Sequence, residues 1–233
     1  MKKVLVLLLF ISPFPWGRVG DGLSAQTKAP LKLKKTIRGD FQLVRPFQNK
    51  AFSHAFSGVY KTGADMNWGK KKFSAGVFYS LTQYQIFPKA FVGSIDDPHS
   101  ILTIQTGGLK FSYDKFTASG KGMWSPYISP GWSSMKYSRI KCIGHDSRER
   151  ELSAFSLNAG INYYIMFDEW MGVGFVAGYN GIDHVFHPYN ICLDEWSAVF
   201  KYTDNDQKGA LQSIFFGFSF YFDFAYKPET SED

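Results

Sequence analysis

The end of the chain carries the clearest hydrophobic pattern. Ile214, Phe216, Phe218, Phe220, Phe222 and Phe224 are separated by Phe215, Gly217, Ser219, Tyr221 and Asp223. A period of two marks a strand, and a helix would scatter these side chains around its axis. The stretch is as long as a tilted strand needs to cross hydrocarbon. The same alternation recurs upstream. Phe73, Ala75, Val77, Tyr79 and Leu81 form one series, and Leu109, Phe111 and Tyr113 a second. Phe155 through Phe167 and Met171 through Tyr179 continue it. One face is large and apolar. The other is mostly Gly, Ser, Asn and Thr, which suits the tight polar lumen of a narrow barrel better than a solvated sheet face.

Connection lengths alternate as well. Asn67–Lys70, Ala118–Met123 and Phe167–Trp170 are short; Pro88–Ser100, Arg139–Glu151 and His184 to about Gln212 are long and charged. Short periplasmic turns and long external loops are the habit of outer-membrane barrels. Trp68, Trp124 and Trp170 sit at or beside the short turns, where an interfacial aromatic girdle belongs. Strands are predicted near 37–47, 54–68, 71–86, 101–116, 124–139, 152–167, 170–185 and 211–225. The expected fold is all-β, a closed antiparallel transmembrane barrel of about eight strands. The segment Trp196–Tyr202 also alternates and reads as part of a hairpin extending above the membrane.

Composition supports strands: 18% of the residues are aromatic, 23 of them Phe, beside 22 Gly. The N-terminus reads as an export signal. Lys2 and Lys3 precede the apolar run Val4–Ile11, which is too short for a membrane helix, and Leu23-Ser24-Ala25 suits cleavage. The predicted organisation is a signal peptide over 1–25, a linker over 26–35, a barrel over 36–226 and a polar tail over 227–233. Cleavage removes Lys2, Lys3, Arg18 and Asp21, lowering the formal charge from +6 to +4. No basic block dense enough for nucleic acid remains.

The export signal ending in Ser24-Ala25-Gln26, the alternating strands and the aromatic terminal strand resemble the outer-membrane-protein β-barrel family, of OmpX or OmpA-barrel type. The resemblance spans roughly 36–226 and rests on patterns rather than signature residues. It implies residence in the outer membrane of the cell, in contact with its lipid. One departure stands out. Such barrels often end at a terminal Phe, whereas Phe224 is followed by Ala225, Tyr226 and the polar run Lys227–Asp233.

Candidate chemistry is sparse. Cys142 and Cys192 fall in two long loops on one side, where an exported protein favours a disulfide; two free buried thiols are the alternative. Of the histidines, His99, His145, His184 and His187 lie in or near the long loops and His54 close to the first; His184 and His187 are close enough to share a metal, but such loop histidines are usually solvated, and no metal or cofactor is expected. His145-Asp146-Ser147 superficially matches barrel lipases but lies in a charged loop. Gly172-Val173-Gly174 lies within a strand and lacks the helix of a phosphate loop. With the large face toward lipid, Lys61, Asp65, Lys110 and Asp114 point inward, either as a paired plug or as a small ion pathway. The reading is therefore a non-catalytic barrel with structural, adhesive or recognition roles in its external loops, which face an external ligand or envelope partner. A lipid-modifying hydrolase and a soluble, lipocalin-like ligand carrier are the alternatives. The former needs a Ser and a His converging at the outer rim, and the latter an apolar pocket inside a polar wall.

Overall fold

The computed structural model describes residues 34–70, 72–86, 100–139, 151–168, 170–187, 191 and 209–224. All of them lie in one unit, Leu31–Asp233. Residues 1–25, read above as an export signal, both cysteines, the Trp196–Tyr202 segment and the polar tail fall outside the described residues. In chain order the elements are β1 (Lys34–Phe47), α1 (Lys50–Ala55), β2 (Phe56–Lys70), β3 (Phe73–Ile86), β4 (Ile101–Tyr113), β5 (Lys115–Phe116), β6 (Gly122–Ser138), β7 (Glu151–Met166), β8 (Met171–Val185) and β9 (Ala210–Asp223). The two-residue β5 continues the edge of β4 against β6.

Every pairing is antiparallel, and the ladders run β4-β3-β2-β1-β9-β8-β7-β6. A further ladder between β4 and β6, with Ile104 opposite Met135, closes the ring. Eight long strands thus form a barrel without a free edge, so every spanning strand has its backbone groups paired. Gly58 shows how the ladder accommodates a bulge. The register slips between Gly58 and Tyr60, and a Cβ on Gly58 would lie 1.8 Å from the Val44 carbonyl oxygen. Gly174 permits a close backbone approach on β8 without a bulge, since a Cβ there would lie 1.9 Å from the Tyr163 carbonyl oxygen.

The outer wall carries the large apolar residues. On β9, Phe216 and Phe218 are each 59% exposed, and Ile214, Phe220 and Phe224 also face outward; Phe222, on the same face, is half-buried. Phe41, Val77, Leu109, Phe111, Ile128, Trp132, Phe155, Ile161 and Phe175 extend this belt around the ring. The ten residue steps from Ile214 to Phe224 span ~33 Å of strand, or ~25 Å of height at the usual tilt. That is the hydrocarbon band of a barrel in lipid. The apolar groups are outside, so a soluble carrier with a polar wall is excluded and the barrel is transmembrane.

Toward the long-loop end the pattern inverts. On β3, Leu81 faces out, but above it Gln83 and Gln85 face out while Tyr84 and Ile86 are buried inside. β4 does the same with Thr103 and Gln105 outside and Leu102 and Ile104 inside. β6 puts Ser134 and Lys136 outside, Met135 and Tyr137 inside. The barrel wall therefore continues beyond the lipid as a water-facing collar with its own apolar core. The expectation of a mostly small, polar inner face along the whole of each strand is corrected here. That face holds only within the lipid band, because above it water, not hydrocarbon, is the outer solvent.

A second correction concerns residues 50–55. The strand expected from residue 54 begins at Phe56, and α1 precedes it. Asn49 caps this helix, its side chain accepting from the Phe52 amide at 2.9 Å and donating to the Gly209 carbonyl at 3.1 Å. Ala51, Phe52 and Ala55 form its buried face, a helical spacing that strand periodicity does not produce. β2 also runs on to Lys70, two residues past the expected strand end, before turning.

Candidate functional site

Besides a small cluster of Met123, Tyr164, Met166 and Tyr221 toward the short turns, the lumen has two main layers. Within the lipid band it is charged. Arg38, only 1% exposed, sends Nη2 to both carboxylate oxygens of Asp114 at 3.0 Å. Its Nη1 donates to Ser125 Oγ at 2.7 Å, and that hydroxyl donates to Asp114 at 2.6 Å. Lys34 reaches the same carboxylate at 2.9 Å. One level higher, Lys110 pairs with Asp65, which also accepts from Asn67. Lys61 donates to Asn158 at 2.8 Å, and Gln42 donates to Asp40 at 2.7 Å.

The arrangement offsets desolvation in two ways. Carboxylates neutralise Lys34, Arg38 and Lys110, and ring faces add to the offset at three of the cations. Lys61 sits 4.0 Å from the Phe215 centroid, Lys110 4.2 Å from Tyr127, and Lys34 4.9 Å from Tyr221. Such contacts strengthen to about 2 kcal/mol when desolvated. Removing one partner would strand a buried charge, at a cost of roughly 3–5 kcal/mol. A cavity of about 20 Å³ remains among Asp40, Gln42, Lys61, Lys110, Ser80 and Asn158. That is space for about one water-sized group.

Above this layer the lumen is apolar. Phe52 from α1 meets Phe56 at 5.5 Å, Tyr84 at 5.2 Å and Phe186 at 5.8 Å between ring centroids. Tyr137, Leu102, Ile104, Met135, Ile182 and Phe215 belong to the same cluster. Tyr84 ties these rings to β9, its hydroxyl donating to Ser213 Oγ at 3.1 Å. The helix lies over the mouth because its three buried residues add to this core.

The residues singled out from sequence fall as follows. Lys61, Asp65, Lys110 and Asp114 are all buried in the lumen; Asp65 and Lys110 meet each other, while Lys61 and Asp114 find Asn158 and Arg38 instead. Trp68, Trp124 and Trp170 are exposed at the short-turn end. Ile214, Phe216, Phe218, Phe220, Phe222 and Phe224 line the outer wall. Cys142 and Cys192, and the triplet His145-Asp146-Ser147, lie outside the described residues. Among the described residues no group of three or more His, Cys, Asp or Glu side chains converges as a metal site.

Sequence reasoning passed over Lys34, Arg38 and Asp40, and with them the centre of the network. Their signal was present: Phe41 and Leu43 face outward, so Arg38, Asp40, Gln42 and Val44 share the inner face of β1. The aromatic seal was passed over for a different reason, the inversion of pattern on β3, β4 and β6.

No protein-family model and no curated protein matches the chain. Solved structures do. The neisserial surface protein NspA is 12% identical, with a TM-score of 0.45 over 81% of this chain and 96% of that one. The N-terminal β-barrel domain of Pseudomonas aeruginosa OprF is 15% identical, with a TM-score of 0.37 over 81% and 97%. Ail, the attachment invasion locus protein of Yersinia pestis, is 12% identical, with a TM-score of 0.37 over 82% and 100%. The closed ring of ladders, not these likenesses, establishes the fold.

Proposed function

We propose that this is a non-conducting barrel of the outer membrane, without an active site, whose long-loop end serves adhesion or recognition. The carrying observation is the lumen. Paired charges fill its lipid-level section, and the ring cluster around Phe52 closes the section above. Eight strands enclose just enough room for side chains, so a filled interior leaves a stable scaffold rather than a pore. Investment in a capped, water-facing collar supports a role for the end it stabilises. Its loops then act from a rigid base, as binding loops on rigid scaffolds do.

Reconstitution into planar bilayers tests the reading. Protein that is folded by heat-dependent gel mobility should give no step conductance. Regular ohmic steps would overturn it. A companion arm displays the full chain on cells and replaces the three long connections with Gly-Ser linkers. Surface attachment should fall while the gel shift persists; unchanged attachment would remove the loops from the account.

A further inference from the structure

The short-turn rim is lopsided in charge. Lys35, Lys70, Lys72, Lys115 and Lys121 are all exposed there, against Asp168 as the exposed carboxylate among the described residues. Two of these lysines stand directly opposite tryptophans. Lys35 pairs with Trp68 across the β1–β2 ladder, and Lys115 with Trp124 across β5–β6. All four side chains are exposed. Directly opposed residues place their Cβ atoms ~4.5–5.5 Å apart. Lys70 follows two residues after Trp68 on the same face, and Lys72 precedes the outward Phe73.

The chemistry of this pairing is specific. Indole rings settle at the membrane–water interface and fix the depth of the rim. A lysine beside one lays its apolar stem along the wall and lifts its ammonium to headgroup level. We infer that this rim is a binding collar for anionic phospholipid headgroups, with phosphate groups taken up at the Lys35–Trp68 and Lys115–Trp124 pairs. This rests on the membrane reading above. A soluble acidic partner fits less well, because the paired lysines lie on the outer wall beside lipid-facing rings rather than across the mouth. An ammonium near a charged surface contributes enough that loss of one lowers anionic-lipid retention by about fivefold.

The test uses the full folded chain in nanodiscs of equal phosphatidylglycerol and phosphatidylcholine, with retained lipids counted by native mass spectrometry. The protein should retain phosphatidylglycerol preferentially. Lys35→Gln with Lys115→Gln should lower that preference by about 25-fold, about fivefold for each lysine. Lys136→Gln at the opposite rim should leave it unchanged. Salt at 1 M, where the screening length is about 3 Å, should erase the preference in the unaltered protein, which gives a result even if the double variant fails to fold. Equal retention of both lipids, or full retention by a folded double variant, overturns the inference. So does a preference of these lysines for lipopolysaccharide over phosphatidylglycerol in a second set of nanodiscs that holds both. Heat-dependent gel mobility is read on the same samples. Its absence in the unaltered protein would sink the membrane reading instead, so the two failures remain distinct.

Discussion

Phe52→Ala should undock α1 from the mouth while leaving the barrel standing. The ring is 1% exposed and meets three other rings at 5.2–5.8 Å. Truncating a buried Phe costs about 3–5 kcal/mol. Little else holds the helix. Six residues have no helical stability of their own, and the Asn49 cap contributes about 1 kcal/mol. The remaining buried groups of α1 are the methyls of Ala51 and Ala55. The equilibrium for opening should therefore rise by roughly 10²- to 10⁴-fold. Limited trypsin digestion reads this directly, because cleavage after Lys50 requires the helix to open and tracks its open population when reclosing is fast. The Lys50–Ala51 cut, followed by mass spectrometry, should accelerate strongly in the variant, while heat-dependent gel mobility is retained. An unchanged cleavage rate with an intact barrel would refute the seal as the anchor of α1.

Two further substitutions probe the wall and the lumen. Asp114→Asn leaves Arg38 and Lys34 without their carboxylate and should lower folding stability by about 3–5 kcal/mol in urea titrations of the lipid-embedded protein; a loss under about 1 kcal/mol would mean water already solvates that level. Phe218→Arg, between Phe41 and Phe175 on the outer wall, should cost about 2–4 kcal/mol, whereas Gln212→Arg above the belt should cost at most about 1 kcal/mol. Equal costs at the two sites would deny the belt its upper edge.

The outer wall was legible because hydrocarbon is an uncompromising solvent. It demands a large apolar group at every second position, and Ile214 through Phe224 supply one each time. Connection lengths then fixed which strands neighbour each other and which ends share a side. The network around Asp114 was legible only in part. Alternation shows that a side chain points inward, but the meeting of Arg38 with Asp114, 76 residues apart, depends on how the strands stagger around the ring. On β1 the outward face carries Gly39 between Ile37 and Phe41, which weakens the pattern and hid Arg38 and Asp40. The seal was not legible because Tyr84, Ile104 and Met135 occupy inner positions that lower down belong to Thr, Ser and Lys. Read as a change of outer solvent partway along each strand, the inversion at Gln83, Gln105 and Ser134 marks the height at which lipid gives way to water. The helix left a short trace, Asn49 followed by buried Ala51, Phe52 and Ala55, too brief for periodicity to detect.

That height is the centre of the account, and it is measurable on one strand. Nitroxide labels placed singly at Val77, Tyr79, Leu81, Gln83 and Gln85, in a chain with Cys142 and Cys192 replaced by Ser, report oxygen against water-soluble nickel reagent in a bilayer. All five positions lie on the outer face of β3. Oxygen should dominate through Leu81 and the nickel reagent from Gln83 onward. A lipid signature continuing to Gln85, or a water signature already at Val77, would contradict a barrel that leaves the membrane as a sealed, water-facing collar.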